Sequence, residues 1–411
     1  MGRTAIYMVM SFTAIFLFFG KVMNDSGTEA FSNAIEYYEQ TQVYNIAVAG
    51  ANLACNQLFL DNTWRTGFSN VVMNGGTFSV VLDTTTYAGK IVLTSRAFYQ
   101  ADTHSVKIVL SPSSLAKFAM YSGNVSSAAK LRSGDTINGP IHFNQKLTTA
   151  GNPVFLGKAT MGSLQTTSGS PTFLGGYQTG VNIAFPNYTP SAAAIVAGAS
   201  AAGGVHDYQS GSELYLKFSV DPSTQICYVQ YKLSSGDAYG ALHTLASFAP
   251  TGNIALVDGA LHIEGTIKGQ VSITSSLSAT SADDSHGAVF IDNNVRYYTD
   301  PLTTPSSTDM LSVVAASAIQ VQQIPIRMDG AFFTNTSAKL ASSLVNTNPA
   351  KSLKIVGSLI TRTIGPTDFG TGAAKGANFY MKYDTRMETN PPANFPFPSS
   401  GNGLEVLSWF E

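Results

Sequence analysis

Residues 5–20 read AIYMVMSFTAIFLFFG, with Arg3 just before them and Lys21, Val22 and Met23 just after. At about 1.5 Å rise per residue, a helix from Ala5 to Met23 spans roughly 28 Å, close to the thickness of a bilayer's hydrocarbon core. Beyond that run the apolar residues Phe31, Ile35, Tyr38, Ile46, Ala49, Leu53 and Leu58 keep near-helical spacing, and no proline occurs before Pro112. The pattern predicts one continuous helix of about 55 residues that begins as a membrane segment and ends as an amphipathic one near Leu60.

Arg3 on one flank and Asn24, Asp25 and Glu29 on the other favour a cytoplasmic N-terminus and an exported remainder. A cleaved secretory signal shares the basic start and apolar centre, with Ser26 and Gly27 as small residues near a cut. A signal is normally followed by a change of character, however, and here the helical pattern runs on. A retained anchor is therefore the expectation, with Lys21 carrying its charge to the interface on its aliphatic stem.

The chain has 411 residues, enough to bury one or two substantial cores. Only 12% of residues are charged and the net charge is −2, so there is no basic field for nucleic acid. Ser, Thr, Gly and Asn take the place of charges, which suits an extracellular or multimeric β-protein. The two cysteines are Cys55, near the end of the helix, and Cys227, in the strand-like QICYVQYKL. A disulfide between them would close a long loop and contribute about 2–5 kcal/mol. Two separate buried thiols are the favoured reading, since Cys55 shares helical spacing with Ala51, Ala54 and Leu58.

After Trp64 the period changes from helical to alternating. Thr77–Leu82, Lys90–Ser95 and Ser105–Leu110 read as three strands of a small antiparallel sheet on which the distal half of the helix can lie. From about Ser133 short strand-turn units follow one another, among them 136–144 (TINGPIHFN), 153–161 (PVFLGKATM), 259–274 (GALHIEGTIKGQVSIT), 287–298, 317–333 and 352–362. In the clearest, Leu261, Ile263, Ile267, Val271 and Ile273 point inward while His262, Glu264, Lys268, Gln270 and Ser272 point out. Strands this short cannot bury an apolar face alone, and stacking them as coils of a parallel β-solenoid solves that, although no strict period is evident.

The expected fold class is α+β, mainly β: a long N-terminal helix over 1–62, a small antiparallel sheet over 63–130 and a β-solenoid-like (parallel β-helix) region over 131–411. That last region carries an insertion near 186–250, with a short helix after Pro190 and two strands around Pro222. The proline-rich stretch from Asn390 and the final LEVLSWFE are expected to form a C-terminal closure over 383–411.

Four segments resemble the type IV pilin-like proteins with PilX-type N-termini and a large β-rich C-terminal domain: the anchor with TQVYNIAVAGANLACNQL (41–58); GGTFSVVLDTTTYAGKIVLTSRAFYQADTHSVKIVL (75–110); GALHIEGTIKGQVSIT with IDNNVRYYTDP and TDMLSVVA (308–315); and YDTRMETNPPANFP (383–396) with SWFE (408–411). The resemblance implies a subunit that sits in the bacterial inner membrane and is then built into a surface filament. Its N-terminal helix would pack against those of further copies or of other pilin-like subunits. Two departures point to a minor or atypical subunit. Gly2 is the only candidate end of a basic leader, and Ile6, Tyr7 and Met8 stand where most major pilins carry an acidic residue.

The residues assigned to membrane and assembly contacts are Ile6, Phe12, Ile15, Phe16, Phe19, Ala47, Gly50 and Ala51. The small ones make a narrow surface suited either to a neighbouring helix or to the chain's own sheet, and the pattern does not separate the two. An exported polysaccharide-cleaving enzyme is the rival reading, and it needs paired carboxylates or a carboxylate beside a base. Asp283, Asp284 and His286, Asp292 with Arg296, and His206 with Asp207 are the candidates, all in turn-like sequence. No catalytic group, cofactor or metal ligand set is expected: the six histidines lack ligand spacing, and no phosphate-binding loop, dinucleotide fingerprint or nucleophile elbow occurs. Tyr297, Tyr298, Tyr188 and Phe185 are candidates for stacking on a surface glycan, the third reading being an adhesin.

Overall fold

The computed structural model describes residues 2–61, 64–86, 90–112, 114–125, 130–201, 213–278, 282–283, 285–345, 349–365, 376–396 and 404–410. The chain divides into two compact units, Met1–Pro112 with Gly401–Glu411, and Ser113–Ser400.

In the first unit α1 runs without interruption over Gly2–Leu60. Polar side chains inside its apolar half are satisfied locally. Ser11 Oγ donates to Tyr7 O at 2.8 Å and Thr13 Oγ1 to Val9 O at 2.9 Å, so neither breaks the apolar surface with a bare hydroxyl. The distal half lies on a five-stranded antiparallel sheet. It contains β1 (Phe68–Met73), β2 (Gly76–Asp83), β3 (Ile91–Tyr99) and β4 (Asp102–Pro112), with the C-terminal strand Leu404–Phe410 beside β4. The three strands read from alternation are β2, β3 and β4. β1 escaped that reading despite a strong hairpin signal: Asn74 and Gly75, both at positive φ, join Met73 to Gly76 in a two-residue turn.

The C-terminal strand corrects the expected closure. Leu404–Phe410 pairs with β4, Val406 opposite Leu110 and Trp409 opposite Ile108, and Leu404 and Trp409 pack on the core beneath α1. A strand with one apolar side joins the sheet whose core that side can cover, and here that is the small sheet.

The second unit is a mixed, mostly parallel sheet of short strands. Its first half contains β5 (Met120–Val125), β6 (Leu131–Arg132), β7 (Thr136–Asn138), β8 (Ile141–Ala150), β9 (Val154–Phe155), β10 (Ala159–Thr166), β11 (Thr172–Phe173) and β12 (Tyr177–Gln178). β5, β8, β10 and β12 form one parallel ladder, and β7, β9 and β11 another. Between β7 and β12 the pairing repeats an 18-residue step: Ile137, Phe155 and Phe173 lie side by side, as do Ile141, Ala159 and Tyr177. Gly139, Gly157 and Gly175 repeat at the same interval for a steric reason. A Cβ on Gly157 would lie 2.2 Å from Gly139 O, and one on Gly175 would lie 2.3 Å from the carbonyl carbon of Gly157.

α2 (Thr189–Ala201), close to the helix expected after Pro190, carries the chain away from β12 and packs on strands of the second half. β13 (Glu213–Val220) and β14 (Cys227–Lys232) are the antiparallel pair expected around Pro222. They are followed by β15 (His243–Thr244), α3 (Leu245–Phe248) and β16 (Asn253–Val257). Parallel pairing then builds through β17 (Ala260–Ile267), β18 (Gln270–Ser276), β19 (Ala288–Tyr297), β20 (Met310–Ala315), β21 (Ile319–Val321), β22 (Ile326–Leu340), β23 (Lys351–Ile364) and β24 (Ala377–Lys382). β23 pairs with β5 and β24 with β7. The strands that open the unit and those that end it are thus neighbours, and the two halves of chain make one continuous ladder.

Leu261, Ile263, Ile267, Val271 and Ile273 are buried, as their alternation predicts, and His262, Glu264, Lys268 and Gln270 keep access to solvent. Ser272 differs: it is buried, its hydroxyl donating to Ala393 O at 2.9 Å. It is one of many hydroxyls inside this unit. Thr274 donates to Val314 O, Ser275 to Gly259 O and Thr361 to Thr363 O. Ser and Thr therefore serve the interior as well as the surface, because these hydroxyls find backbone carbonyls there.

Candidate assembly surface

α1 changes environment along its length. Every described side chain from Gly2 to Tyr38 is exposed, including Ile6, Phe12, Ile15, Phe16 and Phe19; Phe16 is 72% exposed. Isolated exposed apolar residues need no explanation, but a continuous apolar cylinder in water does. By length and composition this helix can cross a membrane. A lipid or helical environment would cover it at about 25 cal/mol per Å² of apolar surface.

From Val43 onward one face is buried: Val43, Ile46, Ala47, Gly50, Ala51, Ala54 and Leu58. These sit at steps of three and four residues, the spacing of a single helical stripe. Across the contact lie Phe78, Val80, Leu93, Ala97, Val106 and Ile108. Ala47, Gly50 and Ala51 thus lie on the chain's own sheet. Gly50 sets the approach, because a Cβ there would lie 2.6 Å from Phe78 Cδ2 and 2.7 Å from Ser95 Oγ. Outside that stripe Leu53 and Phe59 are exposed, at 43% and 54%. Spacing alone placed Leu53 with the buried residues; it lies off their stripe by part of a turn.

The candidate chemical groups do not converge. Asp283 caps a turn, accepting the backbone N–H groups of Ser285 and His286 and pairing with His286 Nδ1 at 2.8 Å. These contacts hold its carboxyl below the usual range. Asp292 and Arg296 are not brought together. Asp292 pairs with His262 Nδ1 at 2.9 Å, whereas Arg296 donates to Asn294 Oδ1. His262 in turn is stacked between Tyr215 and Phe290, with ring centroids 4.0 and 4.5 Å away, as one rung of an aromatic column across three strands. Asp284, His206 and Asp207 lie outside the described residues. Among the described residues no cluster of three or more His, Cys, Asp or Glu side chains is arranged to hold a metal ion.

Of the aromatic residues considered for stacking on a glycan, Tyr297 is buried, its hydroxyl accepting from Leu311 N. Phe185 packs against Tyr121 and Phe333, and Tyr188 against Phe333. Tyr298 is exposed, with Lys268 Nζ over its ring. Cys55 and Cys227 are free thiols, one in each unit, and burial pushes both thiols upward.

No family model matches the sequence, and no curated protein matches it. Among solved structures, the chain is similar to the competence-associated pilin ComZ from Thermus thermophilus, at 12% identity and a TM-score of 0.38, over 90% of this chain and 96% of that one. The long apolar N-terminal helix read from the sequence is present as a single helix, Gly2–Leu60. At that identity and score the likeness transfers no residue's role to this chain.

Proposed function

We propose that the protein is a non-enzymatic structural subunit of a type IV pilus-like filament or pilus-associated assembly. In this reading α1 is first a tether in the bacterial inner membrane and then part of a helical core, with the β-rich regions displayed at the cell surface. The observation that carries the proposal is the division of α1 at about residue 38. The first part, which includes the membrane-length run, is exposed at every described residue and reaches the sheet only at its end, where Tyr38 meets the ring of Tyr99, while the second is held on its own sheet. A free apolar helix on a rigid mount can exchange lipid for the helices of other subunits, whether copies of itself or other pilin-like chains.

Because Ala47, Gly50 and Ala51 are taken up by the sheet, the subunit contacts fall to Ile6, Phe12, Ile15, Phe16 and Phe19, with Leu53 and Phe59 extending them. The parallel ladders of the second unit are best understood as coils of a β-solenoid. Such a shape can place a surface-binding region at a distance, a glycan being the ligand class considered. The test is Phe16→Asp or Ile15→Asp in the native host, followed by membrane fractionation and by electron microscopy of sheared surface fibres. The proposal expects loss of membrane retention or of fibre incorporation; normal incorporation of both variants would overturn it.

A further inference from the structure

The two ends of the parallel ladder in the second unit are finished differently. At the β13 and β16 end, β14 and β15 continue the sheet in antiparallel sense, and α2 packs on β16. There Val229 is fully buried and Phe248 is 7% exposed.

At the other end β12 pairs only with β10, and β11 only with β9, among the described residues. Among the described residues the chain does not fold back over them: Ile183 N donates to Asn144 Oδ1 and Ile183 O accepts from Tyr121 Oη, so the next segment turns along the side of the ladder. The aromatic column, with Phe173 stacked on Phe155 and Tyr177 tilted against Phe173, therefore ends in solvent. Tyr177 is 56% exposed and Leu174 69%.

A stack of coils whose last interior layer is bare requires a cap. Natural edges are also commonly guarded by charges, yet no Asp, Glu, Lys, Arg or His occurs from Ala159 to Ala201. An uncharged edge with outward backbone groups and apolar side chains is complementary to itself. Two such edges related by a two-fold axis pair antiparallel with no charge left unmatched and cover Leu174 and Tyr177 mutually. A charged partner would find no counter-ion here.

We propose that the edge formed by β11 and β12 is a self-association surface, at which a second copy of this chain adds its own β11 and β12 across a two-fold axis. The contact is separate from any made through α1. The test uses the full chain in detergent micelles, with Cys55→Ala and Cys227→Ala removing the native thiols. Gln178→Cys at the edge is compared with Ser235→Cys, an exposed position after β14. Mild oxidation is expected to give a disulfide-linked dimer from Gln178→Cys at least tenfold faster than from Ser235→Cys. Adding Leu174→Lys, a change at a surface residue, is expected to abolish that advantage while leaving the circular dichroism spectrum unchanged. Equal cross-linking at the two positions, no dimer from Gln178→Cys, or a rate insensitive to Leu174→Lys would each overturn the proposal. Because α1 is present throughout, association through the helix raises both positions together and is distinguished from the edge contact.

Discussion

Gly50 of α1 stands directly over the ring of Phe78, so close that a single added methyl would lie 2.6 Å from Cδ2. That contact sets how near the helix comes to its sheet. Gly50→Ala gains helix propensity of up to about 1 kcal/mol, but Phe78 is 1% exposed and hemmed by Phe68, so the ring cannot swing away cheaply. Overpacking at such a site costs about 1–3 kcal/mol. Gly50→Ala is expected to lower the stability of the first unit despite the better helix former, and Gly50→Val to lower it further. Thermal denaturation in micelles, followed by near-ultraviolet circular dichroism, checks the order; an Ala variant more stable than the parent would show that the helix can lift without cost.

Gly157 makes a comparable argument in the second unit, where the neighbour is backbone. A side chain there would press into the carbonyl of Gly139, 2.2 Å from the Cβ position. No rotamer relieves a clash with the backbone of the neighbouring segment. Gly157→Ala is expected to separate two neighbouring segments of the ladder locally and to destabilise the unit by about 2 kcal/mol or more. Gly176→Ala, at a glycine with open space around it but positive φ, should lose only the smaller cost of a left-handed conformation, on the order of 1 kcal/mol. Urea denaturation of the two variants separates packing from backbone strain.

The long helix was legible because an apolar membrane-length run and an unbroken 3.6-residue period agree. β2, β3 and β4 were legible because each alternates. β1 and the C-terminal strand were not, for different reasons. β1 carries Ser69 and Asn70 within a bulge, between Phe68 and Val71, which spoils its alternation although the Asn74-Gly75 turn announces a hairpin. The C-terminal strand looks equally suited to either sheet, and only its pairing with β4 decides between them. The 18-residue step escaped the reading: FLG recurs at residues 155–157 and 173–175, but the first turn reads Ile137-Asn138-Gly139, and the later strand-turn units vary in length. The buried face of α1 was half legible: small residues signal close approach and do not say to what.

The placement of the last strand gives a third prediction. Trp409 lies on β4 opposite Ile108 and packs against the core of the first unit. Trp409 is half-buried, so Trp409→Ala is expected to cost about 2 kcal/mol, below the range for a fully buried aromatic. The loss should fall on the helix-and-sheet unit. Hydrogen exchange read by mass spectrometry is expected to show faster exchange in β3 and β4, with the strands β16 to β23 unchanged; the opposite distribution would contradict the pairing.

Asp135 supplies a pH-dependent prediction at the seam where the two halves of the ladder meet. Its carboxylate accepts from Phe379 N at 2.8 Å and Arg132 N at 2.7 Å, while Arg132 Nη2 donates to Ala377 O. Burial nonetheless dominates and pushes its pKa up to about 7, against an ordinary value of 3.8. A carboxyl whose folded pKa lies above its unfolded value favours the folded state when protonated. Its contribution is fully present below about pH 4 and is lost as the pH rises towards 7, because ionisation leaves a buried charge with too few partners. Asp329 is shifted the same way by burial, so the effect of Asp135 must be read as a difference. Urea melts at pH 4.5 and 7.5 are expected to show the parent losing more stability between the two than Asp135→Asn does, by an amount on the order of a few kcal/mol. Asparagine keeps one acceptor for Phe379 N but turns an amide group toward Arg132 N, so its stability is offset at every pH and only the slope is diagnostic. Parallel slopes for the two proteins would mean that water or a cation reaches Asp135 and the seam does not titrate.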